Sequence, residues 1–141
     1  SMSELIRKAD ALISKWAQEI LSALRIVAAF MFMQHGGQKM FGFPVAGGRE
    51  FELFTLNPGL IGVLEVFGGA LLLVGLFTRP VAFVLSGSMA FAYFMVHAPQ
   101  DFWTRANGGE AAVLYCFLFL YMTSVGGGKW SLDNLWRRGV V

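Results

Sequence analysis

Charged side chains are scarce in this chain: 14% of 141 residues, where an average soluble domain carries ~25%. With 56% hydrophobic residues and a mean hydropathy of +0.60, that scarcity argues against an ordinary water-soluble domain. Cysteine is nearly missing. Cys116 stands alone, which excludes an intramolecular disulfide and a Cys-x-x-Cys relay, so any redox chemistry must use a bound cofactor. Neither sign of charge dominates, because 11 Lys and Arg face 9 Asp and Glu; a net +2 and a pI near 8.9 make too weak a footprint for nucleic acid, which drops out as a partner. The first residues lack the cationic, apolar and small-residue regions of a signal peptide. Ser1-Met2 reads as a tag-removal scar before the native start, and the chain reads as complete. A nucleophile with its base, a phosphate loop and a zinc motif are all missing.

Long apolar runs are what the chain has in quantity. A hydrocarbon core of about 30 Å needs about 20 mainly apolar residues in a helix, and four runs of about that size punctuate the sequence. They cover about 20–38, 59–77, 81–97 and 110–127. Asn57-Pro58 opens the second, Thr78-Arg79-Pro80 separates the second from the third, and His97-Ala98-Pro99 closes the third. Asn107-Gly108-Gly109 precedes the fourth, and the glycines from Gly126 to Gly128 suit its C-terminus. The expected fold is an all-α membrane protein, an antiparallel four-transmembrane-helix bundle forming a single domain over 1–141.

Orientation follows from the flanking cations, since cytoplasmic loops hold the excess of Lys and Arg. One side holds Arg7, Lys8, Lys15, Arg79, Lys129, Arg137 and Arg138; the other holds Lys39, Arg49 and Arg105. Both termini are therefore expected in the cytoplasm, with the chain in a bacterial inner membrane. Trp16, Trp130 and Trp136 at the inner boundary and Trp103 at the outer one fit an aromatic belt. Leu5, Ile6, Leu12, Ile13 and Trp16 recur at helical spacing among polar residues, which predicts an N-terminal helix lying on the inner leaflet. Leu132, Leu135 and Trp136 repeat the pattern briefly, with Ser131 as N-cap. The outer stretch 40–57 is too polar to span and too apolar for a free loop, so it is expected to fold over the outer mouth.

Ionisable residues inside a bilayer face the bundle interior with a partner and are functional candidates by default. Arg25 and Glu65 qualify. At about 1.5 Å per residue, Arg25 lies about 15 Å below His35 and Glu65 about 12 Å below Asn57, so a shared outer boundary at His35 and Asn57 would let the two charges pair. Gly62, Gly68 and Gly69 beside Glu65 admit close neighbours. A second cluster is expected at the outer surface, where His35, Lys39, His97, Asn107 and Glu110 converge and a stripe of Ser86, Ala90, Tyr93 and His97 leads inward. Three chemistries compete for it. His35 and His97 could ligate a haem; His35, His97 and Glu110 could form a metal site; or an apolar slot with convergent donors and acceptors could take a quinone, with His, Tyr or Glu passing protons. Met31, Met33 and Met40 suit such a slot and equally suit plain packing.

Three blocks in this sequence resemble the DoxX family of small four-span bacterial membrane proteins. They are Leu24-Arg25 with the run from Gln34 to Gly42; Glu65 to Gly69 with the run from Gly75 to Pro80; and Asn107 to Glu110 with the run from Gly126 to Asp133. The resemblance implies a four-helix membrane bundle associated with redox systems, some members being described as the small subunit of a thiosulfate:quinone oxidoreductase and others as membrane partners of sulfurtransferase or superoxide-handling proteins. It points to Arg25, His35, Lys39, Glu65, Arg79, Asn107 and Glu110.

The combined expectation is a redox-associated inner-membrane protein, a quinone-linked oxidoreductase subunit. Glu65, His35 and Glu110 would be catalytic; Arg25, His35, Lys39, Tyr93, His97 and Asn107 would bind the ligand, with Arg25 balancing Glu65; no metal is required. Lipids, a soluble redox partner protein and further copies of the chain are the other expected partners. The competing expectation is a non-catalytic scaffold that docks redox or oxidative-stress proteins. A proton-coupled transporter is a third, weakened by the lack of an internal repeat or a span broken in its middle.

Overall fold

A computed structural model describes residues 1–139, and the last two residues of the expected domain lie outside them. The described residues contain helices and no strands. The helices are α1 (Met2–Ser14), α2 (Ala17–Phe41), α3 (Ile61–Val74), α4 (Thr78–Ala92), α5 (Thr104–Asn107), α6 (Glu110–Val125) and α7 (Leu132–Arg137). A short turn, Leu56–Leu60, kinked by the extended backbone of Asn57, leads into α3, and a π-helical turn, Tyr93–His97, extends α4. Three stretches are long and apolar enough to cross a membrane: Ala17–Phe41, Leu56–Val74 and Thr78–His97. The apolar helix α6 is shorter at 16 residues, about 24 Å at 1.5 Å per residue.

Local signals set most boundaries. Gly42 (φ 62°), Gly75 (φ 71°) and Gly126 (φ 84°) end α2, α3 and α6 in a conformation that costs glycine least. Ser131 caps α7 by accepting from the Asn134 N–H at 3.1 Å, as its position predicts. The expected spans need adjustment at their ends. The first helix runs three residues further out than Gln38. The second stops at Val74, and Thr78-Arg79-Pro80, expected to end it and open the third, forms the first turn of α4, because proline at a first helical turn costs no hydrogen bond.

Packing joins α2 to α3, α3 to α4 and α4 to α6. Small residues bring the axes together. Gly36 sits against Glu65 and Val66, Gly69 against Met33, and Gly75 against Arg25, so contacts along α2 and α3 run in opposite chain directions. Gly68 receives the Leu85 side chain of α4, and Gly62 faces Lys39 and Met40. The core is Ala29, Phe32, Leu72, Ala82, Leu85, Met89, Phe119 and Met122. Outside it, Val27, Phe30, Phe67, Phe83, Leu114 and Phe117 are exposed on the helix surfaces, an apolar exterior suited to lipid. The α1 helix buries no residue, which leaves its apolar face free to lie on a membrane surface.

The glycine contacts carry a stability prediction. A Cβ at Gly36 would fall 2.8 Å from both Glu65 and Val66, whereas one at Gly87 meets nothing within 4 Å. Gly36→Leu is expected to lower thermal stability in detergent by overpacking worth about 1–3 kcal/mol. Gly87→Ala is expected to leave stability unchanged or raise it slightly. Unfolding followed by circular dichroism checks both.

Candidate functional site

The half of the molecule that holds the C-terminal end of α2 and the start of α6, the half expected to face outward, contains a cavity of about 470 Å³, within the range of small-molecule sites. Its floor is apolar and buried, formed by Phe32, Met89 and Ala112, with Glu65 set among them. Higher up it is lined by His35, Lys39, Asn57, Tyr115 and His97, and its α4 wall is the row Met89, Ala92 and Val96. Four of the residues expected at a site therefore meet here: His35, Lys39, Glu65 and His97.

Glu65 is the centre of this arrangement. Its side chain is 2% exposed, its Oε1 accepts from Lys39 Nζ at 2.5 Å, and its Oε2 is buried without a partner. Lys39, 29% exposed, reaches the carboxylate from the outer side. The close fit of Gly36 and Gly62 between α2 and α3 makes the meeting possible, since a larger residue at either place would part the helices. A buried carboxylate with one oxygen salt-bridged and the other bare beside a cavity is a strong acceptor for a ligand donor.

His97 arrives by a different route. The π-helical turn, in which Ala98 N–H donates to Tyr93 O at 2.8 Å, inserts a residue into the helix and rotates the residues beyond it. The rings of Tyr93 and His97 stay stacked across this turn, with centroids 6.4 Å apart and planes inclined by 29°. Tyr93 packs on Gly109 and its hydroxyl accepts from Asn107 Nδ2 at 3.2 Å, while His97 lines the cavity. His97 Nδ1 lies 2.9 Å from the Asn107 carbonyl oxygen, which can only accept; Nδ1 is thus the donor, and Nε2 is the nitrogen left to accept in a neutral ring.

Several expected members stand elsewhere. The expected Arg25–Glu65 balance does not exist, because the Arg25 guanidinium donates to the carbonyls of Gly127, Leu73 (3.4 Å) and Trp130 (2.7 Å) at the inner end. His35 and Asn57 do not share the boundary that the expected pairing needs: α2 continues past His35 to Phe41, and Gly62 lies level with Lys39 and Met40, so Glu65 is near the outer end and meets Lys39. Glu110 is exposed at the start of α6 and does not line the cavity. Asn107 is buried and ties the α5–α6 connection together, donating from Nδ2 to Asp101 O (3.0 Å) and accepting at Oδ1 from Gly109 N–H (2.8 Å). Ser86, expected in a stripe toward the cavity, donates instead to Cys116 O on α6 at 2.7 Å. Arg79 donates to Ser124 O at 2.6 Å, closing the end of α6. Among the described residues no three His, Cys, Asp or Glu side chains converge to hold a metal, so His35, His97 and Glu110 are not assembled as a set.

Two lining residues were not singled out by their sequence pattern. Tyr115 was hidden in the aromatic run of α6; its position four residues before the core residue Phe119, one turn outward, was the available signal. Asn57 read only as turn punctuation, although it stands in the kinked turn at the mouth. The segment 42–55 lies against the end of α2, with Gln38 Nε2 donating to Ala46 O at 3.1 Å, and none of its residues lines the cavity.

The DoxX family model matches residues 20–98, which take in most of α2 together with α3, α4 and the turns at Leu56–Leu60 and Tyr93–His97. The chain is 44% identical over 129 residues to an uncharacterized protein of Haemophilus influenzae, covering 86% of this chain and 94% of that relative. It is 26% identical over 126 residues to an uncharacterized membrane protein of Mycobacterium tuberculosis, covering 79% of this chain and 77% of that relative. No solved structure matches it.

Proposed function

The chain belongs to the DoxX family of membrane proteins, and from that premise we propose that it binds a quinone in the outer cavity as a subunit of a redox system in the bacterial inner membrane. In this reading α2, α3 with its leading turn, α4 with its trailing turn, and α6 form an antiparallel four-span bundle with both termini cytoplasmic. The excess of Lys and Arg on the terminal side supports that orientation. The observation that carries the ligand reading is the partnerless Glu65 Oε2, buried beside a cavity whose other walls are mostly apolar. The fit is chemical as well as spatial. A quinone has a flat apolar ring, suited to Phe32, Met89 and Ala112, and carbonyl oxygens that need donors, which Lys39, His35, Tyr115 and Asn57 possess.

A bound quinone would supply a two-electron, two-proton acceptor. The chain's own groups would manage the protons and the orientation. Lys39 Nζ keeps Glu65 Oε1 occupied, which leaves Oε2 to accept a hydroxyl hydrogen once the ring is reduced. His97 Nε2, with Nδ1 held by the Asn107 carbonyl, is placed to exchange protons with the outer side. In this reading a partner protein would deliver the electrons.

Native mass spectrometry of the protein released gently from its own membrane tests the proposal. A stoichiometric quinone mass is expected. Protein that carries only partner chains and no small molecule, from membranes rich in quinone, would instead favour the scaffold reading.

A further inference from the structure

Beside the outer cavity lies a second recess of about 280 Å³, lined by Met31, Gln34, Gln38, Pro44 and Val45 together with His35 and Tyr115. His35 and Tyr115 also line the main cavity, so the two spaces share one wall of two side chains. The rings stand edge to face with centroids 6.4 Å apart, and no hydrogen bond joins them. This wall belongs to the seam between α2 and α6, which changes character with depth. At the inner end it is closed by Ser22 and Arg25 against Gly127. In the middle Phe32 fills it, edge to face with Phe119 at 5.1 Å and with Tyr115 at 5.4 Å. Beyond Tyr115 only His35 and the recess remain.

The recess opens toward lipid. Val27, Met31, Gln34 and Gln38 follow one another at steps of four, three and four on α2, and Val27 and Met31 are 56% and 51% exposed. One face of α2 thus leads from the apolar exterior into the recess. Resting on the quinone reading above, we propose that this recess is the tail channel of the site: the ring sits by Glu65 while an apolar tail passes between His35 and Tyr115 and leaves between α2 and α6 into the bilayer. The substrate class narrows accordingly, to quinones dissolved in the membrane with a long apolar chain. Gln34, Gln38 and His35 make the recess more polar than the lipid around it, so the channel adds no affinity of its own for an apolar tail. It acts by exclusion, because a tailed ring can reach Glu65 only while the seam admits its chain.

The test uses the full-length protein in phospholipid nanodiscs with Cys116→Ala as background. Met31→Cys and Val45→Cys are introduced singly and coupled to a bulky maleimide after folding, so that obstruction cannot be confused with misfolding. Two probes are titrated by calorimetry, tail-less tetramethylbenzoquinone and a decyl-substituted benzoquinone. Coupling is expected to weaken the decyl probe by about tenfold or more and to leave the tail-less probe within about twofold. Unchanged decyl binding after coupling at both positions overturns the channel, as does an equal loss of both probes, which would make the recess part of the ring site. If the tail-less probe fails to bind the unmodified protein, the quinone reading itself falls and takes the channel with it, a result distinct from either of those.

Discussion

Exchanging Glu65 for glutamine is expected to weaken binding of the reduced, hydroxyl-bearing quinone by about tenfold or more, and that of the oxidised form far less, while the helices and their packing persist. A hydrogen bond to a charged acceptor is worth about 1.5–3 kcal/mol, and about 1.4 kcal/mol corresponds to a factor of ten in affinity. Glutamine keeps the shape of the side chain and can still accept from Lys39 Nζ through its amide oxygen. Removing the other partner has a different result. Lys39→Met strands a carboxylate that is 2% exposed, and breaking a buried pair from one side costs about 3–5 kcal/mol. The double variant Lys39→Met/Glu65→Gln is expected to regain much of that stability without regaining binding. Thermal unfolding read beside calorimetric titration separates the two effects. Retained binding of the reduced quinone in Glu65→Gln would remove this carboxylate from the site.

Arg25→Met is expected to cost more stability than any single change in the outer cavity. The Arg25 side chain is 1% exposed, and its guanidinium serves the carbonyls of Gly127, Leu73 and Trp130. Gly127 O would keep the Ser22 hydroxyl, but the Leu73 and Trp130 carbonyls would lose this donor, and each buried acceptor left without one costs about 1–3 kcal/mol. Lysine is not a remedy, because one compact ammonium cannot reproduce a planar fork that spans three backbone segments. Both Arg25→Met and Arg25→Lys should therefore lower the yield of folded protein, with methionine the worse. The fraction that folds should bind ligand with unaltered affinity, since Arg25 is remote from the cavity. A reduced affinity at full folded yield would contradict a purely structural role for Arg25.

The helices were legible because apolar runs and their glycine and proline punctuation are local signals, so α2, α3, α4 and α6 appear close to where the sequence places them. The membrane family was legible from motifs that turn out to be largely architectural. Asp133 accepts from the N–H groups of Phe77 (2.7 Å) and Thr78 (2.9 Å), Arg79 closes α6, and Arg25 binds the glycine turn, which accounts for three motif residues without invoking a ligand. The site was half legible. His35, Lys39, Glu65 and His97 were identified by type and approximate depth. Their partners were not, because pairing depends on the relative axial shift of two helices, and an error of a few turns exchanges Arg25 for Lys39 as the companion of Glu65. The π-helical turn was invisible for a related reason: one inserted residue leaves the hydrophobic pattern almost intact while it swings every later side chain round the axis.

The seam between α2 and α6, bolted at Ser22 and Arg25 and parted beyond Tyr115, has the mechanics of a pair of tweezers. A pivot at one end confines movement to the other, so the amplitude of any breathing grows from the Ser22 end of the seam toward the His35 end. A molecule held in the jaws enters and departs on the same side. On the proposed reading, such a device would hold a ligand at one end of the seam, within reach of a partner that comes to meet it.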